Sequence, residues 1–196
     1  LQPIAHAIGL SISEFSPLGK KNVLLEGISD YYYFSAMRSI LDIKGDFHFI
    51  PGIGLRKINN LISLSIGYSL DWIAVIDDDP KNGGEDTKNK FNEISEYVFD
   101  GDNVKTKKKV HILDEIVGIE NMFTYNDLKL IDPTIVKGTD NDKVKAVGKK
   151  RKILFSKMFF DKVSNNEITI EKISKTAIDN FKKAFKFIED SYPTNE

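Results

Sequence analysis

Four short apolar runs, each closed by charged or turn residues and separated from the next by a stretch of helical spacing, constrain this chain more than any other feature. The runs are Val23-Leu24-Leu25, Phe47-His48-Phe49-Ile50, Trp72-Ile73-Ala74-Val75-Ile76 and Val110-His111-Ile112-Leu113. Consecutive apolar residues suit strands buried on both faces, as in a parallel sheet with helices on both sides. Between the runs, residues 30–42, 56–69 and 86–98 place apolar side chains three and four apart, with Tyr33, Met37, Ile40 and Leu41 on one face of the first. The order β-α-β-α-β-α-β predicts an α/β domain.

Past Leu113 the pattern changes. Thr124-Tyr125-Asn126-Asp127 has the spacing of a capping box, with Asp in the usual Glu place, and leads into Leu128 to Ile131. Residues 134–142 read as a polar loop. Two helices are expected around 143–162 and 171–190, the second burying Ile173, Ala177, Phe181, Phe185 and Ile188. Tyr192 to Glu196 is expected to fray. The chain divides into an entry segment (1–20), a sheet-bearing core (21–133) and a helical part (134–196) that completes the domain.

A length of 196 residues is enough for one domain with a real core. No apolar stretch approaches the ~18 residues of a membrane span, and the opening Leu1-Gln2-Pro3 has no secretory pattern. With no cysteine, thiolate metal sites are excluded and a cytoplasmic location is the expectation. The absence of an initial Met marks the chain as an expected fragment of a longer one. The net charge of −1 hides an asymmetry, because residues 1–100 carry 9 Lys/Arg against 14 Asp/Glu, whereas residues 137–162 carry 9 Lys/Arg against 3 Asp. Acidic and basic poles suit metal ions beside a polyanion, although two ordinary solvated faces would give the same count.

In an open parallel sheet, chemistry gathers beyond the carboxyl ends of the strands. Glu26-Gly27 follows the first run, Gly52-Ile53-Gly54 the second and Asp77-Asp78-Asp79 the third, and Glu120 comes shortly after the fourth. All four groups therefore fall at one edge. Alone, Asp77 to Pro80 is an acidic turn, the glycines serve backbone geometry, and Asp30 is a helix N-terminal charge worth ~0.3–1 kcal/mol. Together they place carboxylates where mutual repulsion calls for a cation, and an oxygen-only donor set favours Mg²⁺, Mn²⁺ or Ca²⁺. His6, His48 and His111 are too dispersed for a metal site; His48 and His111, inside strand runs, are expected to be buried and hydrogen-bonded. Of Tyr31, Tyr32 and Tyr33, at least one should be core, since consecutive helical residues point in different directions. Trp72 is also expected in the core.

Val23-Leu24-Leu25-Glu26-Gly27-Ile28-Ser29-Asp30 resembles the EGxxD signature of Toprim domains, and Val75 to Pro80 resembles their DxD signature. Further segments resemble the overcoming-lysogenization-defect (OLD) family: the entry Gln2 to Gly9, the continuation Ser29-Asp30-Tyr31-Tyr32-Tyr33, the segment Ile119-Glu120-Asn121-Met122-Phe123 against IEDLF, and the helix from Lys152 to Phe159 against KxxxAxxF. Asn121 and Ser156 depart from those patterns.

The resemblance implies a Toprim nuclease domain that cuts DNA with two divalent ions, and a role in phage defence. Glu26, Asp77 and Asp79 would be the core ligands, Asp30 and Glu120 would complete a second site, and Asp78 would tolerate replacement. Lys152 would neutralise charge at the transition state; helical spacing does not separate it from Lys149, Lys150 or Arg151, and a solvated lysine is the simpler alternative. Those cations, with Lys157 and Lys162, would contact the DNA backbone. The family further implies an N-terminal ABC-type ATPase domain reached through residues 1–20, with dimerisation through it. This chain has no GxxxxGKS/T loop and is expected to bind no nucleotide. A primase-type or topoisomerase-type Toprim enzyme and a non-catalytic nucleic-acid-binding Toprim module remain open.

Overall fold

A computed structural model describes residues 19–52, 54, 57–78, 85–113, 116–136, 143–148 and 151–193. The expectations that fall on residues 1–18 (His6 included), Asp79, Lys149 and Lys150 therefore lie outside the described residues.

Strands β1 (Lys21–Leu25), β2 (His48–Pro51), β3 (Asp71–Asp77) and β4 (Val110–Leu113) form one sheet in the order β2-β1-β3-β4. Every pairing is parallel, with Leu25 opposite Pro51 on one side and Val75 on the other. The chain leaves β1 toward β2 and later crosses back to β3, so the order reverses between β1 and β3. Loops from those two strands diverge there and open a crevice at their carboxyl ends.

Alternation along the strands explains why both sheet faces are apolar. Val23, Leu25, Ile73 and Val75 enter the larger core with Phe34, Phe159, Phe181 and Phe185, whereas Leu24, Trp72, Ala74 and Ile76 enter a second core with Ile58, Ile62 and Ile94. Helix α1 (Ile28–Ile40) covers the first face, and α2 (Ile58–Gly67) and α3 (Glu85–Phe99) cover the second. Tyr32 and Tyr33 of α1 are buried and Tyr31 packs at the margin of the larger core, as the packing argument requires.

A further short helix, α4 (Asn103–Lys109), has no counterpart among the sequence expectations. Its Asn-Val-Lys-Thr-Lys-Lys-Lys run has no apolar period. Asp102 starts the helix by accepting hydrogen bonds from the Val104 and Lys105 amides, both at 3.0 Å. Lys107, Lys108 and Lys109 occupy its last turn, where cations complement the exposed carbonyls.

In the C-terminal part, α5 (Tyr125–Ile131) is followed by α6 (Lys143–Val147), α7 (Lys152–Ser164) and α8 (Lys175–Ser191). The single helix expected over 143–162 is two helices, because Gly148 adopts φ +84°, a left-handed conformation that ends a helix. The expected helix over 171–190 begins as a 3-10 turn and restarts at Ser174, whose hydroxyl accepts from the Ala177 amide. Tyr192, expected to fray, is instead 3% exposed and donates a 3.0 Å hydrogen bond to the Asn22 carbonyl of β1. His48 and His111 are half-buried rather than core, because β2 and β4 are the outer strands; His111 stacks on Phe187 of α8 at 4.7 Å.

Asp127 joins α5 to α8. Buried at 1% exposure, it accepts from the Thr124 amide and hydroxyl at 2.7 and 2.6 Å and from the Ser174 amide and hydroxyl at 2.7 and 2.6 Å. The expected capping box thus also holds the start of α8. Asp127→Ala strands these donors and should cost about 3 kcal/mol, near the top of the range for hydrogen bonds to a charged group. Urea unfolding checks this, and a loss below about 1 kcal/mol would show that the junction does not depend on Asp127.

Candidate metal centre

The carboxyl end of β1 passes directly into Glu26 and Gly27, and the latter precedes α1. Asp30 lies in the first turn of α1, and its carboxylate accepts a 2.8 Å hydrogen bond from the Gly27 amide. It is thus a helix-start acceptor, the plainer of its two expected roles, while also facing the acidic group. Asp77 ends β3, and its carbonyl accepts from the Thr87 hydroxyl of α3 at 3.1 Å. Glu120 stands in a 3-10 turn, Ile119–Met122, and is fully buried.

The loop after β2 binds to the same edge through its backbone. The Gly52 amide donates to the Leu25 carbonyl and the Gly54 amide to the Glu26 carbonyl, both at 2.8 Å. A Cβ on Gly52 would lie 2.8 Å from each of those carbonyl oxygens, so a side chain there would push the loop off Glu26. The glycines serve backbone geometry, as expected.

Lys152 enters the group from the first turn of α7. Its Nζ is 3.4 Å from Glu120 Oε2, with the lysine side chain 26% exposed and the glutamate 0%. The turn that carries Glu120 begins beside Gly118, where a Cβ would meet Val144 Cγ2 at 2.8 Å and Glu120 Oε2 at 3.3 Å. Gly118 is a site residue that sequence reasoning missed; its only signal is its place two residues before Glu120.

The charges act on one another strongly. Burial raises the Asp30 carboxyl to about 7 against the pull of Lys152, with Glu26 and Glu120 adding to the rise. Burial likewise holds the Asp77 carboxyl well above its ordinary value, helped by Asp30, Glu26 and Glu120 and opposed by Lys152. Burial lowers the Lys152 ammonium, yet Glu120, Asp30 and Asp77 outweigh it and hold it above its ordinary value. Four carboxylates thus face one ammonium, and the group retains protons to limit its own repulsion.

That donor set fits hard divalent cations. All the side-chain donors are oxygens, and added positive charge would replace the retained protons. Among the described residues no group of three acidic or histidine side chains is placed to hold a metal ion. Asp79, the second aspartate of the DxD pattern, lies outside them. Asp78 is half-buried just past the end of β3. Asn121, which stands where the resemblance would put aspartate, has a buried amide oxygen with no hydrogen bond among the described residues.

The expected DNA-contacting cations divide. Arg151 is exposed and donates to Asp132 at 2.9 Å, and Lys157 pairs with Asp161 at 3.1 Å while lying 5.8 Å from the centre of the Tyr32 ring. Lys162, farther along α7, donates to the Leu130 carbonyl at 3.2 Å and so ties α7 to α5.

No family model and no curated protein matches the sequence. The fold, however, superposes on solved structures. The C-terminal region of the Xanthomonas campestris pv. campestris OLD protein matches with a TM-score of 0.55 and 10% identity, over 88% of this chain and 98% of that one. The C-terminal region of the Burkholderia pseudomallei OLD protein matches with a TM-score of 0.52 and 12% identity, over 86% and 99%. The architecture is α/β, a parallel Toprim-like sheet with a helical extension. This chain therefore has the fold of the C-terminal region of OLD proteins.

Proposed function

We propose that this chain is a metal-dependent endonuclease domain that hydrolyses DNA phosphodiester bonds at the β1/β3 crevice. The observation that carries this reading is the gathering of Glu26, Asp30, Asp77 and Glu120 around Lys152, at the sheet edge where ligands bind in such folds. The shared fold with OLD C-terminal regions supports it.

Glu26, Asp30, Asp77 and Glu120, with Asp79, would hold two Mg²⁺ or Mn²⁺ ions, with Ca²⁺ as a supporting ion. Bound there, such ions would supply an activated water and neutralise the leaving oxygen. The remaining work belongs to the chain. Asp30 and Asp77, whose carboxyls burial raises, would have to be ionised to serve as ligands. Lys152, whose ammonium stands beside Glu120, would neutralise the charge that grows on the phosphate. Arg151 and Lys157, with Lys149 and Lys150, contact the DNA backbone and give affinity without sequence choice. The solved counterparts are C-terminal regions of longer proteins, which fits a multi-domain protein; an ATPase domain that carries dimerisation is what the sequence resemblance adds to that reading.

Supercoiled plasmid with Mg²⁺ or Mn²⁺ should be nicked and then linearised, and chelator or Glu26→Ala should abolish the cutting. Lys152→Ala should slow it about 10²–10³-fold, the usual cost of removing one transition-state charge partner. Cutting that persists in chelator or in Glu26→Ala would contradict the reading, as would intact plasmid after incubation with the complete protein and both metals.

Asp30 also sets a pH dependence. Its folded pKa, about 7, is above its unfolded value, so the proton stabilises the fold fully below pH ~4, and that contribution is lost as pH rises through 7. In metal-free protein, the Tm advantage of Asp30→Asn over the native sequence should grow from pH 5 to pH 8 and shrink when Mn²⁺ is added. A constant difference across that range would show that Asp30 does not titrate there.

A further inference from the structure

Strand β4 is an outer strand of the sheet, and a cleft of about 590 Å³ lies between it, α3 and α4. Lys88, Phe91 and Asn92 line the cleft from α3, Lys107 from α4, and residues 110–112 from β4. Its charge has one sign. Lys88 and Lys107 are both exposed, and none of the lining residues is acidic. Lys105 and Lys109 of α4 are instead paired with Asp102 and Asp71. Between the two cations the surface is apolar: Val110 is buried, and Phe91 and Ile112 pack on the second core while remaining partly open.

Position ties the cleft to the metal centre. Leu113 of β4 lies opposite Asp77, and Thr87, whose hydroxyl donates to the Asp77 carbonyl at 3.1 Å, immediately precedes Lys88. Lys88 thus marks the end of the cleft nearest the carboxyl edge of the sheet, and Lys107, just before β4 begins, marks the far end. At a rise of ~3.3 Å per residue, β4 carries the cleft ~10 Å away from that edge.

Lysines suit phosphates, but a duplex turns its bases inward and would leave the apolar part of the cleft facing water. An unpaired strand offers both chemistries, since its bases rest on aromatic and apolar side chains while its phosphates meet cations. We propose that the cleft beside β4 binds one unpaired DNA strand as it leaves the metal centre, with Lys88 and Lys107 on its phosphates and Phe91 and Ile112 against its bases. The proposal rests on the nuclease reading given above and narrows the substrate to DNA that is single-stranded on this side of the cut.

Fluorescence anisotropy of a labelled oligonucleotide in metal-free buffer reads binding without cutting. The native chain should bind a single strand more tightly than the duplex of the same sequence. Lys88→Ala/Lys107→Ala should lower the slope of log K against log salt by about 1.4 for the single strand, so that a difference absent at 1 M salt reaches about 25-fold at 0.1 M. Lys88→Gln/Lys107→Gln, which keeps the length of the side chains, should do the same. Lys182→Ala/Lys183→Ala makes an equal change of charge at exposed positions of α8, on the other face of the sheet, and should leave the slope as it is. An unchanged slope in the Lys88/Lys107 variants would overturn the proposal, as would an equal loss of duplex binding or the same loss in the α8 variant. So would a native chain that binds no single strand at micromolar concentration. In each of these cases the nuclease reading stands as long as supercoiled plasmid is cut with Mg²⁺ or Mn²⁺.

Discussion

The structure at this edge of the sheet depends on a charge imbalance: four carboxylates, Asp30 and Glu120 buried and Glu26 and Asp77 half-buried, gather near a single ammonium. No apolar core gains from such an arrangement. Burial raises the cost of each negative charge, and proximity raises it again. The chain tolerates it because strong packing elsewhere holds the ligand-bearing elements in place. Helices α1 and α7 meet through Tyr32, Tyr33, Phe159 and Phe160, and Tyr33 and Phe34 of α1 continue into Phe123, Phe181 and Phe185. The aromatic core thus keeps Asp30, Glu120 and Lys152 together.

The backbone contributes in the same sense. Parallel pairing fixes the ends of β1 and β3 beside one another, and the reversal of strand order between them leaves room above. Gly52 and Gly54 attach the neighbouring loop to Leu25 and Glu26. At the other end of β1, the Asn22 side-chain amide donates to the Gly19 and Asp71 carbonyls, while Tyr192 donates to the Asn22 carbonyl. The C-terminal helices are therefore part of the same packed unit as the sheet.

Much of this was legible in the sequence, because strands buried on both faces announce themselves as apolar runs and the crevice is set by their order. Glu26, Asp77 and Glu120 could be placed because each stands just past the end of an apolar run. Lys152 could not, since one lysine in a basic stretch has no period to mark it, and resemblance alone selected it. Helix α4 was hidden because its support is a capping Asp102 and a buried Thr106 rather than an apolar stripe. Tyr192 looked like a frayed end because its partner, Asn22, is 170 residues away. The role of Gly118 depends on contacts between distant elements, which no local pattern records.

In the metal-centre reading, the retained protons at Asp30 and Asp77 stand in for divalent cations. Proton release on Mn²⁺ binding tests this most directly, measured by calorimetry at pH 6.5 in buffers of different ionisation enthalpy. The expected result is release of about one proton or more per chain, reduced in Asp30→Asn. Binding that releases no proton, or releases the same number from Asp30→Asn, would contradict it.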